Sequence, residues 1–369
     1  MKTTSVLLSL FTLALFCGAT WSQQQPKSAS TGLAAGGPVI QGTPDDPHRD
    51  PREMHLRNIR QITSGGTNAE AYFSPDGERL IFQSMREPYK CDQMFVMNID
   101  GSDARLVSTG KGKTTCGYFF KDGKHVLYSS THLASPECPP RPDYSKGYVW
   151  GVYSSFQLFY AKDSGEIVKQ LTSGPGYNAE ATLSRDGKKI VFTSSRDGDL
   201  EIYTMNAKSG SVKRLTQALG YDGGPFFSHD GKWIVYRANH PTAPDDVARY
   251  KELLGQEMVE PMKMDLYVMR SDGSAQKQIT SLGGASFAPF FYPDDQRIIF
   301  ASNFENPGTS HFELYSIRRE GGEPERVTFT GGFNSFSMFS PDGKKLVFAS
   351  NRNAKKPREI NVFVADWVP

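Results

Sequence analysis

The sequence has few cysteines, few hydrophobic residues and almost no net charge. Its 369 residues include 4 cysteines and 38% hydrophobic residues, with a net charge of +2. A chain this close to neutrality lacks the basic surface of a general nucleic-acid binder, so we expect no nucleic-acid partner. Glycine (35 residues) and aromatic residues (12%) are plentiful instead. This composition favours short strands and tight turns over helices.

Long apolar runs are scarce as well. The one such run covers residues 6–19, follows Lys2 and ends in small residues, which is typical of a secretory signal peptide cleaved near Ser22. It is too short for a confident membrane span, and no second run follows it. We therefore predict a signal peptide (1–22), a disordered polar tether (23–57), and a mature chain that is periplasmic or secreted without a membrane span.

A repeat dominates the remaining sequence. Asp-Gly pairs begin at residues 76, 122, 186, 230 and 342, and a degenerate Asp-Asp copy begins at residue 294. An aromatic or apolar stripe precedes each pair and a β-branched apolar run follows it, so each pair is predicted to be a hairpin turn. Two further strands complete each unit. Units of this size built from short strands are typical of a β-propeller.

The number of strands predicts how the ring closes. The last repeat ends at residues 366–367 without a fourth strand, while an unmatched copy, RQIT (60–63), precedes the first repeat. We predict an all-β fold, a single six-bladed propeller over residues 58–366, in which the N-terminal strand completes the last blade. This arrangement removes two open sheet edges that would favour aggregation.

The segments SPDGERLIFQS, SRDGKKIVFTSSRDGDLEIYTM and SPDGKKLVFASNR resemble the propeller repeat of the periplasmic TolB family. The resemblance covers residues 58–366 and implies a non-catalytic role in protein contacts in the bacterial envelope. TolB proper has an α/β domain before its propeller, whereas only the 23–57 tether precedes the repeats here. Related repeats gate prolyl-oligopeptidase-type proteases, but the sequence has no Gly-x-Ser-x-Gly motif for such a hydrolase.

Two insertions lengthen the loops between the second and third strands of blades 2 and 4. They cover residues 132–155 and 240–263 and should project from one face of the ring. The first is rich in proline and aromatic residues, including Tyr148 and Trp150, which either form a contact surface or pack down as a cap. The second should hold a short helix that opens at Pro244 and ends at Gly255. Glycine-rich pieces such as 220–224 are interpreted as turns that enter first strands.

Polar residues recur at fixed offsets from the turns, on the rim that carries the insertions. The candidate binding residues are Glu70, Arg86, His132, Tyr148, Trp150, Glu180, Arg196, Asp222, His240 and Arg352. One interpretation pairs Glu70 with Arg86 and Glu180 with Arg196 inside single blades. The other places Glu70, Glu180, Asp222, His132 and His240 around a polar pocket at the channel mouth. No local motif has metal-ligand spacing, so we predict neither a metal nor a cofactor.

Three cysteines follow the signal peptide, at positions 91, 116 and 138. An exported chain can form a disulfide, but an odd count leaves one thiol over. Three single pairings are possible, and the sequence does not choose between them.

Two functions fit these observations. The first is a non-catalytic module, monomeric, that binds an envelope protein or peptide through the face with the insertions. The second is a carbohydrate-active propeller, a lyase or hydrolase, that uses the rim carboxylates and histidines. Propellers host both roles, so the fold alone does not decide.

Overall fold

A computed structural model of the protein describes residues 42–369. The predicted signal peptide and the start of the predicted tether lie outside these residues. Six four-stranded antiparallel sheets are arranged around a central channel as a six-bladed β-propeller, which confirms the predicted fold. The described residues hold a single α-helix, α1 (Pro244–Gly255).

The strands follow one another from the channel outwards within each blade. Blade 1 consists of β2 (Thr67–Phe73), β3 (Arg79–Met85), β4 (Gln93–Asn98) and β5 (Arg105–Leu106). Blade 2 consists of β6 (Thr114–Phe119), β7 (His125–Ser130), β9 (Gln157–Lys162) and β10 (Ile167–Gln170). Blade 3 consists of β11 (Asn178–Leu183), β12 (Lys189–Ser194), β13 (Glu201–Asn206) and β14 (Val212–Arg214).

The second half repeats this order. Blade 4 consists of β15 (Tyr221–Phe227), β16 (Trp233–Asn239), β18 (Asp265–Arg270) and β19 (Lys277–Gln278). Blade 5 consists of β20 (Ser286–Phe291), β21 (Arg297–Ser302), β22 (Glu313–Arg318) and β23 (Glu325–Arg326). Blade 6 consists of β24 (Asn334–Phe339), β25 (Lys345–Ser350), β26 (Asn361–Trp367) and the N-terminal strand β1 (Leu56–Gln61).

The ring closes through its N-terminal strand, as predicted. Strand β1 pairs antiparallel with β26, with Leu56 opposite Trp367 and Gln61 opposite Phe363. Inner strands of neighbouring blades contact each other around the channel, including β24 of blade 6 and β2 of blade 1. The outer edge of the last blade is therefore supplied by the opposite end of the chain.

The N-terminal segment is ordered earlier than predicted. The predicted tether runs to residue 57, but from residue 42 onwards the chain packs against blade 6. Glu53 is fully buried and forms an ion pair at 3.0 Å with Arg352, which is also fully buried. Asp46 accepts a hydrogen bond from the backbone of Ile59. The polar composition that suggested disorder supplies the partners of a buried arginine instead.

Every inner strand has a β-bulge at the same position. The strand register shifts between Ala69 and Tyr72, and equivalent shifts recur in the other five blades. The bulged residues, which all have φ between 49° and 58°, are Glu70, Cys116, Glu180, Gly224, Ala288 and Phe336. Bulges re-aim side chains, so one residue per blade is turned towards the channel. These residues recur at the same distance before each hairpin turn because the bulge recurs at that position of the backbone.

Antiparallel order places two kinds of loop on opposite rims of the ring. The insert rim is where inner strands begin and where the loops between second and third strands carry the insertions. The turn rim is where the Asp-Gly hairpins lie. None of the helices within residues 42–369 is long and apolar enough to cross a membrane.

Candidate functional site

The two insertions join into one structure, which we call the insert cap (residues 132–155 and 240–263). Strand β8 (Trp150–Gly151) of the first insertion pairs antiparallel with β17 (Met258–Val259) of the second. Because these segments come from blades 2 and 4, their pairing bridges the insert rim above blade 3. The sequence predicts both insertions on one face but does not predict that they pair.

The cap is fastened to the ring at two places. Cys138 forms a disulfide with Cys91 of blade 1, while Cys116 is free, which resolves the three possible pairings. Helix α1 lies where the sequence predicts it and buries Tyr250 and Leu253. The hydroxyl of Tyr250 donates a hydrogen bond to Asp199 of blade 3. These contacts hold both insertions against the ring.

The aromatic residues of the first insertion divide into exposed and covered groups. Tyr144 is 50% exposed and Tyr148 45% exposed, and their rings stack with centroids 6.1 Å apart. Trp150 lies below them and donates a hydrogen bond from Nε1 to the Tyr148 hydroxyl at 3.2 Å. Tyr144 and Tyr148 are therefore exposed, while Trp150 packs down as a cap.

Trp150 reaches across the channel. Its ring lies edge-on to Phe287 of blade 5 at 6.0 Å and has the Arg237 guanidinium of blade 4 over it at 5.1 Å. Both residues come from blades other than the one that carries Trp150. The indole thus covers the channel mouth beneath the exposed tyrosines.

A buried polar cluster lies below Trp150, centred on Glu180. Its carboxylate accepts hydrogen bonds from the Tyr221 hydroxyl (2.8 Å), the Gly224 backbone N–H (2.9 Å) and the Thr193 hydroxyl (2.7 Å), and forms an ion pair with Arg237. Burial alone would lower the pKa of Arg237, but the neighbouring Glu180 carboxylate raises that pKa above its ordinary value. The Glu180 carboxylate is therefore fully occupied by neighbouring side-chain and backbone groups.

Two glycines make room for this cluster. A Cβ on Gly224 would stand 2.0 Å from Nη1 of Arg237, and one on Gly223 would stand 2.1 Å from the Tyr221 hydroxyl. The interpretation of residues 220–224 as a turn is wrong beyond Gly220, because Tyr221 already begins strand β15. The glycine pair is needed for the side chains that fill the channel.

Glu70 faces the same channel from blade 1. Burial raises its pKa to about 7, although the nearby Cys116 thiol of blade 2 and the Arg237 guanidinium of blade 4 both act to lower it. Glu70 and Cys116 are both partly buried. Glu70 is therefore a channel carboxyl whose protonated form is favoured by burial.

An aromatic plug closes the channel on the side of the cluster that faces the turn rim. Tyr72, Tyr118, Phe226 and Phe290 come from blades 1, 2, 4 and 5, each two residues after a bulge. The Tyr72 and Phe226 rings, from opposite sides of the ring of blades, approach to 5.6 Å. The Phe226 and Phe290 rings lie 5.4 Å apart. The polar cluster thus lies between this plug and the insert cap.

The predicted ion pairs within single blades are wrong. Arg86 donates from Nη2 to Oδ1 of Asn68 at 2.7 Å, and Arg196 donates in the same way to Asn178 at 2.8 Å. Arg352 repeats this contact with Asn334 at 3.0 Å. The bulge explains the difference, because it turns Glu70 and Glu180 into the channel while the arginines stay between the sheets.

These arginines stack on aromatic side chains of their own blades. The guanidinium of Arg196 lies 4.9 Å from the centre of the Tyr203 ring, and that of Arg352 lies 4.8 Å from the centre of the Phe348 ring. The contacts recur because the repeat recurs, which makes them part of the blade framework.

The predicted rim histidines also lie inside blades, away from the channel. His132 packs against the Phe159 ring at 4.4 Å and bonds to Ser130 at 2.9 Å, and burial lowers its pKa. His240 bonds through Nε2 to Oδ1 of the fully buried Asp222 at 2.9 Å. Of the five residues proposed to line one pocket, the structure brings only Glu70 and Glu180 to the channel.

Sequence reasoning missed Arg237 and Tyr221. In the second strands of the other blades, smaller residues occupy the position of Arg237. The available signal was an arginine in an otherwise apolar strand that follows a strand with a Gly-Gly pair. This combination indicates a large buried side chain over a backbone without Cβ atoms. Among residues 42–369, no group of three or more His, Cys, Asp or Glu side chains is arranged to hold a metal ion.

Comparisons with known proteins agree with this architecture. The model of the TolB beta propeller domain matches residues 153–259 and 257–366. No curated protein matches the chain significantly.

Solved structures with the same fold include a protein of Agrobacterium tumefaciens described as TolB, with TM-score 0.56 and 20% identity over 84% of this chain and 97% of that one. TolB from Acinetobacter baumannii has TM-score 0.52 and 17% identity over 82% and 63% of the respective chains. An oligogalacturonate lyase from Vibrio parahaemolyticus has TM-score 0.50 and 14% identity over 84% and 93%. Likeness at these identities establishes the fold alone.

Proposed function

The chain belongs to the TolB beta propeller domain family, and from this premise we propose that it is a non-catalytic module that binds a protein or peptide in the bacterial cell envelope. The binding surface we propose is the pair of exposed rings, Tyr144 and Tyr148, on the insert cap. Tyrosine supplies a large contact area at low conformational-entropy cost and is enriched at interface hot spots.

The rigidity of the platform carries this proposal. The stacked tyrosines stand on a segment that the Cys91–Cys138 disulfide, the pairing of β8 with β17 and the Trp150–Tyr148 hydrogen bond all hold in place. A surface fixed before binding loses little entropy on association. Exposed aromatic rings that are held in place by such contacts are suited to binding a partner.

The disulfide also supports the proposed location. Disulfides persist in oxidising compartments such as the periplasm and are rare in the cytosol. The pairing of Cys91 with Cys138 therefore agrees with the signal peptide predicted over residues 1–22. Export from the cytosol, as a periplasmic or secreted protein, remains part of the proposal.

Photo-crosslinking in cells tests the binding surface. A crosslinking residue at Tyr148 should capture a defined envelope protein, and Tyr144→Ala should reduce that capture about tenfold or more. The matched control places the crosslinker at Val212, an exposed apolar position on blade 3. Equal capture from both positions, or none from Tyr148, would contradict the proposed surface.

One observation favours the alternative of a carbohydrate-active enzyme. Burial raises the pKa of Glu70 to about 7, and its carboxyl group faces the channel, as an acid–base group would. This function predicts turnover of an acidic oligosaccharide that Glu70→Gln abolishes while Tyr144→Ala leaves it intact. No turnover across an oligosaccharide panel would remove this alternative.

A further inference from the structure

A groove opens at the turn rim between blades 2 and 3, on the face opposite the insert cap. We call it the turn-rim groove, and its volume is about 560 Å³. Its apolar floor includes Phe120, Tyr160 and Ile190, and three lysines border it, Lys169, Lys188 and Lys208. This volume lies within the range of ordinary ligand sites.

Its aromatic floor departs from the repeat. Tyr160 lies on a third strand at a position where the other five blades carry Val, Thr or Ser. Phe120 stands where four blades carry a serine that bonds to the turn aspartate, as Ser184 does to Asp186. The Phe120 and Tyr160 rings meet edge to face at 4.7 Å. The fold does not need these rings here, because most blades are built without them.

The turn-rim groove has positive side chains without matching carboxylates, in contrast to the junction between blades 1 and 2. Between blades 1 and 2, Asp163 receives Arg79 at 2.5 Å and Arg105 at 3.2 Å. The corresponding residue of blade 3, directly after its third strand, is Ala207. The turn-rim groove therefore lacks the carboxylate that closes the preceding junction.

Two of the three lysines do not find that charge elsewhere. Among the described residues that line the groove none is acidic, and the side chains of Lys169 and Lys208 have no hydrogen-bond or ion-pair partner within residues 42–369. Lys188 lies 3.5 Å from Asp186, but both of these side chains are largely exposed. A ligand with carboxylates would supply the missing charge.

An exposed strand edge borders the groove and favours a peptide over other anions. Strand β10 is the outermost strand of blade 2, and all four of its residues are exposed. Ile167 and Val168 on it are exposed apolar residues. An open edge of this kind can pair with an added strand through main-chain hydrogen bonds.

We propose that the turn-rim groove binds an extended acidic peptide segment in which an aromatic or aliphatic side chain lies next to carboxylates. The apolar side chain packs on Phe120 and Tyr160, and the carboxylates face Lys169, Lys188 and Lys208. The peptide backbone lies along β10. This site is separate from the surface proposed on the insert cap and does not depend on it.

Fluorescence polarisation with a short labelled peptide that alternates Glu with Phe and Leu tests the proposal. Saturable binding is expected, and replacing every Glu with Gln should weaken it about tenfold or more. The double variant Lys169→Glu/Lys208→Glu should weaken it to a similar extent. Ala207→Asp should also weaken it, because it gives the groove its own carboxylate.

The matched control reverses two exposed lysines elsewhere, Lys344 in the equivalent turn of blade 6 and Lys251 on helix α1. The Lys344→Glu/Lys251→Glu protein should bind like the wild type, and Tyr160→Thr should weaken binding without a change in net charge. Equal losses in both double variants, or no saturable binding of the Glu peptide, would overturn the proposal. Groove-dependent binding of phosphatidylglycerol vesicles in place of the peptide would also overturn it.

Discussion

Two buried carboxyl groups meet at the boundary between blades 3 and 4. Glu201 and Asp222 are both fully buried, and Oε2 of one and Oδ2 of the other have no donor among the described residues. In blade 6 the position of Asp222 is taken by Asn334, which donates to the Glu313 carboxylate at 2.8 Å. Asp222 replaces this asparagine between blades 3 and 4. Glu201 and Asp222 therefore need a shared proton in place of the amide hydrogen that asparagine would donate.

This pair predicts stability that decreases as the pH rises. Burial raises the pKa of Glu201 to about 7, and burial also raises the pKa of Asp222 despite the hydrogen bond from His240. The unfolded chain loses these protons at lower pH, so the free energy of unfolding falls between about pH 4.5 and pH 7. His240 acts in the same direction: burial lowers its pKa, but the Asp222, Glu201 and Asp199 carboxylates together raise it above its ordinary value, and its contribution is lost as the pH rises through the folded-state pKa.

Urea unfolding between pH 5 and pH 8 measures this effect. The urea concentration at the wild-type midpoint should fall across that range, which corresponds to a decrease of about 2 kcal/mol in the free energy of unfolding. Asp222→Asn restores the amide that blades 1, 3 and 6 carry at this position and should flatten the profile. Arg214 and Asp199 also lie near the pair and are unchanged in the variant. A variant profile as steep as the wild type would refute the shared proton.

The Glu180–Arg237 pair predicts a strong non-additive effect on stability. Glu180→Gln leaves the Arg237 guanidinium buried without its counter-charge, so the free energy of unfolding should fall by about 3 kcal/mol. The double variant Glu180→Gln/Arg237→Met removes both charges and should recover part of that loss. A double-mutant cycle from urea unfolding measures the coupling, and additive losses would show that the two groups do not interact.

At the scale of the elements, the insert cap depends on one covalent link and one short strand pair. The disulfide joins residues 47 positions apart and ties the proline-rich insertion to blade 1. Strands β8 and β17 have only two residues each, so their pairing alone holds weakly. We therefore expect the disulfide to hold the proline-rich part of the first insertion on the ring.

Removing the disulfide tests this dependence. Cys91→Ser/Cys138→Ser should lower the stability of the cap by about 3 kcal/mol and expose residues 133–147 to proteolysis. Cys116→Ser, which touches no disulfide, is the matched control and should leave the cleavage pattern unchanged. Limited proteolysis with mass mapping distinguishes the two results, and identical patterns in both variants would contradict the role given to the disulfide.

At the scale of the whole molecule, closure relies on the N-terminal segment. Strand β1 supplies the outer strand of blade 6, and Glu53 is the counter-charge of the buried Arg352. Without this segment, β26 becomes an open edge and Arg352 a buried charge without its carboxylate. Both consequences act on the last blade of the ring.

A chain that begins after residue 63 should therefore melt at a lower temperature and aggregate. Differential scanning calorimetry and size-exclusion chromatography measure the two effects, with a chain that begins at residue 42 as the control. Glu53→Gln separates the causes, because it removes the counter-charge but keeps the strand. Unchanged melting of the truncated protein would refute closure by β1.

The repeat, the number of blades, the closing strand, the positions of both insertions and helix α1 could all be predicted from the amino-acid sequence. Each depends on local features, because an Asp-Gly turn and the alternation of apolar residues fix a hairpin within one segment of chain. The family followed from the same repeats. The contacts between side chains of different blades could not be predicted and depend on the folded ring.

Three contacts between different blades show why the sequence does not predict them. Glu180 pairs with Arg237, 57 positions away in the next blade, rather than with Arg196 beside it, because a bulge turns its side chain into the channel. Cys91 bonds to Cys138 and not to Cys116 because the first insertion folds back over blade 1. The pairing of β8 with β17 likewise depends on the distance between two blades. Such contacts are set by the closed ring, and no local pattern encodes them.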